Sequence, residues 1–337
     1  MKGLDLDALA KHLGTGPLTG ELLSGGRSNL TYAVSDGARS LIVRRPPLGH
    51  VLATAHDMGR EYRVMTALAP TDVPVPQTYV LCEDPEVVGA PFYVMENVAG
   101  AVLRTAESAA DLGLDRLTAI AAELGDVLAR LHTTDPASVG LADFGRPEGF
   151  LDRQLVRWNK QLDASRSREL PGIDELRDRL AADVPHNPRA AIVHGDYRLD
   201  NVIVAAAGAD PAKARIAAVV DWEMSTLGDP LTDVGALLMY WELMTRGQGL
   251  FGAVPPGAVF PSADVLVDAY RARVGEGGAM LDRLPWYLAW ATYKLAVIAE
   301  GIHYRYQAGQ TLGEGFAELG KAVPVLVARG HQILSEG

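Results

Sequence analysis

Residues 192–204, IVHGDYRLDNVIV, set two apolar runs around His194, Asp196, Arg198, Asp200 and Asn201. Apolar runs such as Ile192-Val193 and Val202-Ile203-Val204 belong in core strands. Ionisable groups between them are costly to bury unless an opposite charge meets them. The fold must therefore carry these groups at strand ends rather than in strand middles. A third, mostly apolar run over residues 215–220 leads into Asp221. Strands over 190–194, 201–205 and 215–220 would present Asp196, Asn201 and Asp221 on one rim. Two carboxylates and an amide oxygen are hard oxygen ligands of the kind Mg²⁺ accepts, with phosphate and water oxygens completing the shell. The rim thus suits Mg²⁺ carrying a nucleotide triphosphate.

The rest of the chain divides by pattern. GELLSGGRSNLTYAVSDGARSLIVRRPP alternates and is punctuated at Gly25-Gly26 and Asp36-Gly37, so it reads as strands joined by turns. AHDMGREYRVMTALA places Met58, Tyr62, Met65 and Leu68 at helical spacing. DVPVPQTYVLCED and APFYVMENVAG read as two more strands around Asp84-Pro85. After Gly100 long amphipathic helices dominate, interrupted only by the strand cluster described above. These patterns predict an α+β chain with two lobes. Residues 1–97 form a small antiparallel sheet lobe and residues 98–337 a larger, mainly helical one, with a ligand cleft between them.

Charge and cysteine content narrow the function classes. Thirty-one basic residues against 42 acidic ones give a net charge of −11, which argues against nucleic-acid binding by phosphate neutralisation. That balance reads mainly as an acidic surface and gives slight weight to a cationic substrate. The single cysteine, Cys82, sits in an apolar stretch and reads as a buried side chain; one cysteine excludes an intrachain disulfide framework. No stretch is long and apolar enough to span a membrane: LPWYLAWATYKLAVIAEG, interrupted by Pro285 and Lys294, reads as a buried helix. The first residues lack a signal-peptide pattern, so a cytoplasmic location is the default expectation.

The five-residue spacing from Asp196 to Asn201, with Asp221 some twenty residues on, matches the order of kinase catalytic and metal-binding groups. His194-Gly195-Asp196 and AVVDWE resemble the aminoglycoside phosphotransferase and choline-kinase-like branch of the protein-kinase-like fold. Gly25 to Asn29, Arg60 to Met65, Val73 to Pro76 and the run from Asp221 to Asp233 resemble the subgroup related to kinase-like domains fused to acyl-CoA dehydrogenases. The resemblance spans roughly residues 20 to 310. It implies ATP and Mg²⁺ as cofactors and a small-molecule hydroxyl as acceptor. Asp196 would accept or orient the hydroxyl proton, and Asn201 and Asp221 would hold the metal. Gly25, Gly26, Ser28 and Asn29 would let backbone N–H groups approach phosphates, although these residues equally suit a hairpin turn.

Kinases usually place a lysine on the third strand. Between residues 12 and 159 every permanent cation is an arginine, so Arg44, or Arg45 one position on, would meet the phosphates. Glu61 would be its partner, or else a surface ion pair of Arg60 or Arg63. Glu96 to Val98 would face the adenine edge. His194 reads as loop support. Asp229 and Asp233 start a helix and read as caps, with loop support as the alternative. Trp158, Trp222, Tyr293 and His303 fall in the region expected to meet the acceptor. GFAELGKA, residues 315–322, mimics a phosphate-binding loop but lacks the Ser/Thr and reads as helix. The acceptor is expected to be a hydroxyacyl thioester or other metabolite rather than an aminoglycoside. The competing reading is a non-catalytic nucleotide-binding pseudokinase module acting through a protein partner.

Overall fold

The computed structural model describes residues 1–23, 29–48, 57–186, 189–206, 214–246, 253–275, 281–309 and 316–336. Helix α1 (Leu6–Leu13) precedes strands β1 (Thr19–Leu22), β2 (Leu30–Ser35) and β3 (Ser40–Arg45), then α2 (Met58–Leu68), β4 (Thr78–Cys82) and β5 (Phe92–Glu96). The five strands form one antiparallel sheet in the order β1-β2-β3-β5-β4. Helices α3 (Ala106–Ala110), α4 (Leu114–Thr133), α5 (Phe150–Ser165) and α6 (Ile173–Ala182) follow. Then come β6 (Ala191–Val193), β7 (Val202–Val204), β8 (Ile216–Val219) and β9 (Thr226–Gly228). The chain ends in α7 (Leu231–Thr245), α8 (Asp264–Val274), α9 (Leu284–Gln307) and α10 (Phe316–Glu336). The sheet makes a small lobe and the helices a larger one. Among the described residues no helix is long and apolar enough to cross a membrane.

Strand periodicity decides which side chains reach which core. On β3 and β5, Val43, Phe92 and Val94 turn toward α1 and a small cluster with Leu9 and Tyr32. Ile42, Tyr93 and Met95 turn the other way, onto α2 and the main core. Arg44 shares the face of Ile42, whereas Arg45 shares that of Val43. Adjacent arginines are therefore sent to opposite sides of the sheet.

The small strands differ in pairing from a simple three-strand reading. β7 and β8 form one antiparallel ribbon, while β6 pairs with β9, a three-residue strand with no readable periodicity of its own. Both ribbons end at the segment singled out by the sequence. β6 stops before His194, β7 starts after Asn201, and β8 stops two residues before Asp221. α7 and α9 are buried over most of their faces, as helices apolar all round must be. The phosphate-loop mimic lies within α10 from Phe316 onward, as its helical spacing predicted.

Several contacts tie the sheet lobe to the helical lobe, some of them through backbone carbonyls. The Arg60 guanidinium of α2 donates to the carbonyls of Ser225 and Phe144 and lies 3.9 Å over the Phe144 ring. Inside the large lobe, just past the boundary, Ala101 and Val204 exchange both backbone hydrogen bonds at 2.8 Å. The Val219 N–H donates to Pro74 O at 2.8 Å.

Gly125 marks the tightest crossing of α4 and α8: a Cβ there would collide with the Leu266 carbonyl and approach the Ala269 methyl. Helix propensity alone would reward Gly125→Ala by about 1 kcal/mol. The collision should reverse that sign and destabilise the protein by about 1–3 kcal/mol, read from the midpoint of chemical denaturation. A variant more stable than the parent would show that the helices can separate freely.

Candidate active site

The loop after β6 is held from beneath. Asp233, fully buried in the first turn of α7, accepts the N–H of His194 at 2.6 Å and that of Gly195 at 2.8 Å. Its third contact is His132 Nε2 at 3.3 Å, and His132 Nδ1 in turn meets Tyr270 Oη at 3.0 Å. Burial pushes the Asp233 pKa up, but its contacts with His132 and His194 outweigh that and hold it below the usual aspartate range. Asp229 instead accepts the Leu231 N–H at 3.0 Å, at the start of α7, and the Tyr287 hydroxyl at 2.7 Å. One acid of the pair therefore caps its helix while the other grips the loop. Gly195 has φ +86°, and a Cβ there would press on Met224, so the turn requires glycine.

His194 ties the loop to the next strand. Val220 O can only accept, so His194 Nε2 donates to it at 3.0 Å. The Asp196 N–H can only donate, so Nδ1 accepts from it at 3.3 Å. These two bonds fix the tautomer with its proton on Nε2. Asn201 O accepts the Val220 N–H at 2.9 Å. Val220 is thus held on one side by His194 and on the other by Asn201, and it delivers Asp221 to the rim. Asp221 is the sole non-glycine residue with positive φ among the described residues, at φ 69°. Such a backbone persists only where its surroundings over-determine it.

Asn201 Nδ2 donates to Asp196 O at 2.8 Å and to Asp196 Oδ2 at 3.0 Å. The amide nitrogen therefore faces Asp196, leaving Oδ1 as the oxygen donor on its other side. Asp196 stays about one-third exposed, with Arg198 Nε 3.3 Å from Oδ2 and the Tyr240 hydroxyl hydrogen-bonded to it. The Arg198 guanidinium lies 4.7 Å over the Tyr240 ring and reaches Asp200 at 3.0 Å.

From the sheet side, Arg44 Nη2 donates to Asp221 Oδ1 at 2.9 Å and Nη1 sits 3.4 Å from Glu61 Oε2. Tyr93 Oη donates to Glu61 Oε2 at 2.9 Å, and Asn29 Nδ2 bridges Glu61 Oε1 at 2.9 Å and Glu223 Oε2 at 3.0 Å. Burial would lower the Arg44 pKa, but Tyr93, Glu61 and Asp221 raise it further, so the guanidinium stays charged. Glu61 is pushed up to about 7, first by burial and then by Asp221 and Glu223, with Arg44 and Tyr93 opposing. Among the described residues there is no ready-made cluster of three or more His, Cys, Asp or Glu ligands. The donor set on the rim, Asn201 Oδ1 with the one-third exposed Asp221 carboxylate, fits Mg²⁺ that takes its remaining ligands from phosphates and water.

The expected site residues fall into three groups. Asp196, Asn201, Asp221, Arg44, Glu61, Asn29, His194 and Asp233 come together around the cleft. Gly25, Gly26 and Ser28 lie outside the described residues. Arg45 does not enter the cleft: it donates to Gly3 O and Val88 O on the far sheet face. Glu61 is not a surface pair of Arg60 or Arg63. The Glu96 N–H is taken by Gln77 O at 2.8 Å, so it is not available to a base edge; Val98, two residues on, is half-buried.

Two of the four acceptor-side residues are corrected. Trp222 is fully buried, donates to Val219 O at 3.0 Å and packs 4.6 Å from the His194 ring, so it has no surface to offer a substrate. Tyr293 is equally buried, with its hydroxyl on Asn159 Oδ1 at 2.8 Å. His303 sits further along α9 against Gly320 of α10. Trp158 lies beneath Lys294, whose Nζ is 5.4 Å from the indole and 3.4 Å from Gly195 O. Sequence reasoning missed Glu223 and Tyr93, although Glu223 lies in the same DWE run as Asp221.

The model of the phosphotransferase enzyme family matches residues 19–253. Acyl-CoA dehydrogenase family member 11 from Gallus gallus is 33% identical over 323 residues, which is 94% of this chain and 40% of that protein. The chain thus spans about two fifths of the length of this curated relative. A solved structure from Ralstonia eutropha, provisionally named an aminoglycoside phosphotransferase, superposes with a TM-score of 0.81 at 33% identity over 99% of each chain. A thermostable aminoglycoside phosphotransferase in ternary complex with AMP-PNP and hygromycin B shares the fold, with a TM-score of 0.59 at 16% identity over 98% of each chain.

Glu61 supplies a test by pH. Its folded pKa of about 7 exceeds the ordinary 4.5, so the folded state holds the proton more tightly. The stability this gives is full below about pH 4.5 and is lost as pH rises through about 7. Denaturation of nucleotide-free protein should show a loss on the order of 3 kcal/mol across that window. Glu61→Gln should flatten this part of the slope, and an unchanged slope would place the titrating group elsewhere.

Proposed function

Because the chain belongs to the phosphotransferase enzyme family, we propose that it is an ATP- and Mg²⁺-dependent kinase of a small-molecule hydroxyl group. The observation that carries this reading is the double grip on Val220 by His194 and Asn201, which sets Asp196, Asn201 and Asp221 on one rim. Asp196 orients the acceptor hydroxyl and receives its proton as the new oxygen–phosphorus bond forms. The bond between the γ-phosphorus and the bridging oxygen breaks, and ADP leaves with that electron pair. Asn201 Oδ1 and Asp221 would hold Mg²⁺, which would supply charge neutralisation at the phosphate oxygens. Arg44 turns its fork from Asp221 toward the α- and β-phosphates, with Glu61 keeping its other edge in place. Residues 1–97 form the nucleotide lobe and 98–337 the catalytic and acceptor-binding lobe. Asp233 and His194 fix the loop that presents Asp196.

The acceptor is a hydroxyacyl thioester or another metabolite rather than an aminoglycoside. The support for this is the kinship with acyl-CoA-dehydrogenase-named proteins. A second reading, a pseudokinase module acting through a partner, draws on one observation. Arg44 occupies Asp221 where a lysine would ordinarily meet phosphates, so the metal carboxylate is already paired.

Mg-ATP turnover against a panel of hydroxyl compounds separates the two. Asp196→Asn should lower transfer by about 10²–10⁴-fold, while calorimetry shows Mg-ATP binding within a few-fold of the parent. Equal turnover in both proteins would remove Asp196 from catalysis. Binding without turnover in either would favour the pseudokinase.

A further inference from the structure

The acceptor side of Asp196 is lined by hydrogen-bond donors. Among the described residues, the Lys294 ammonium meets one acceptor, Gly195 O at the long distance of 3.4 Å. An ammonium carries three donors, so its capacity is largely unused. Burial holds its pKa below the usual lysine range, with Asp196 and Asp233 opposing, so it lies within the field of the candidate catalytic carboxylate. Beneath it the Trp158 side chain is only 8% exposed, and its indole N–H is buried with no hydrogen-bond partner. Arg157 lies 5.5 Å from the same ring. Arg153, Arg157 and Lys160 line the neighbouring groove on α5, with Asp152 as its one acid. This local excess of cations stands in a chain whose net charge is −11.

A buried indole N–H without an acceptor and an ammonium with one long hydrogen bond both leave donor capacity unused in a poorly solvated place. A ligand bearing oxygen acceptors would use the ammonium's free donors and could reach the indole N–H, whereas a cationic ligand would meet the ammonium's like charge. The geometry points to Lys294 and the Trp158 N–H as the acceptor-recognition subsite, selecting alcohols that also carry an anionic oxygen group, a carboxylate or a phosphate. This rests on the kinase reading above and reverses the slight preference for cations drawn from net charge.

The full chain would be titrated by calorimetry, with and without Mg·AMP-PNP, against short ω-hydroxy carboxylates, the matching hydroxy amides, amino alcohols and glycerol phosphate. Turnover of the same compounds with Mg-ATP gives kcat/KM. Carboxylate or phosphate probes should bind about tenfold or more tightly than the amides, with amino alcohols weakest. The hydroxy carboxylate and glycerol phosphate arms identify which anion is read. Lys294→Gln should shrink the carboxylate-to-amide ratio to within about twofold, Lys294→Arg should keep part of it, and Trp158→Phe should raise KM more than it lowers kcat.

Amino alcohols binding best, no binding of any anionic probe, or an unchanged ratio in Lys294→Gln would each overturn the assignment. Should Lys294→Gln not fold, the parent's order of preference and Lys294→Arg decide. Absence of heat with Mg-ATP would instead sink the kinase reading, and the nucleotide-free titration still scores the subsite.

Discussion

One buried guanidinium holds the sheet side of the cleft together. Arg44 stands between Glu61 at 3.4 Å and Asp221 at 2.9 Å, joining β3, α2 and the end of β8 through one side chain. Without it Glu61, Asp221 and Glu223 would be left as like charges around a poorly solvated space, and stranding one member of such a pair costs about 3–5 kcal/mol. Arginine suits the task better than lysine would. Its planar fork can address two carboxylates on different edges, whereas an ammonium is a compact point charge. Tyr93 and Asn29 complete the arrangement by donating to Glu61, so each buried carboxylate oxygen there has a donor.

The two sides of the site differ in chemical character. Among the described residues the sheet side holds Glu61, Asp221 and Glu223 around the Arg44 guanidinium and suits a metal-laden polyanion. The α5–α9 side holds Lys294, Arg157 and an indole N–H. Asp196 sits between them, bonded to Asn201 on one side and Tyr240 on the other. The loop that carries it has its backbone N–H groups anchored on Asp233, so the buried acid acts on chemistry only through the position it imposes.

Much of this was legible in the chain because the signals are local. The five-residue spacing of Asp196 and Asn201, the apolar run before Asp221 and the alternation of β2 to β5 need no tertiary knowledge. Other features were not legible, for physical reasons. Arg44 and Arg45 are both buried, and only the facing of β3 tells which one enters the cleft. Trp222 belongs by sequence to the region expected to meet the acceptor. A short 3-10 turn from Trp222 to Met224 swings it inward onto His194. The pairing of β6 with β9 joins three-residue strands, too short to leave a period. Asn29 and Glu223 meet across 194 residues, a distance no window of sequence spans.

The bonds between the lobes have a further consequence. Arg60 and Val219 fasten the lobes along one side, while Arg44 and Asn29 fasten them across the cleft through Asp221 and Glu223. Any group that competes for those two carboxylates therefore competes at the same time with the hold of one lobe on the other.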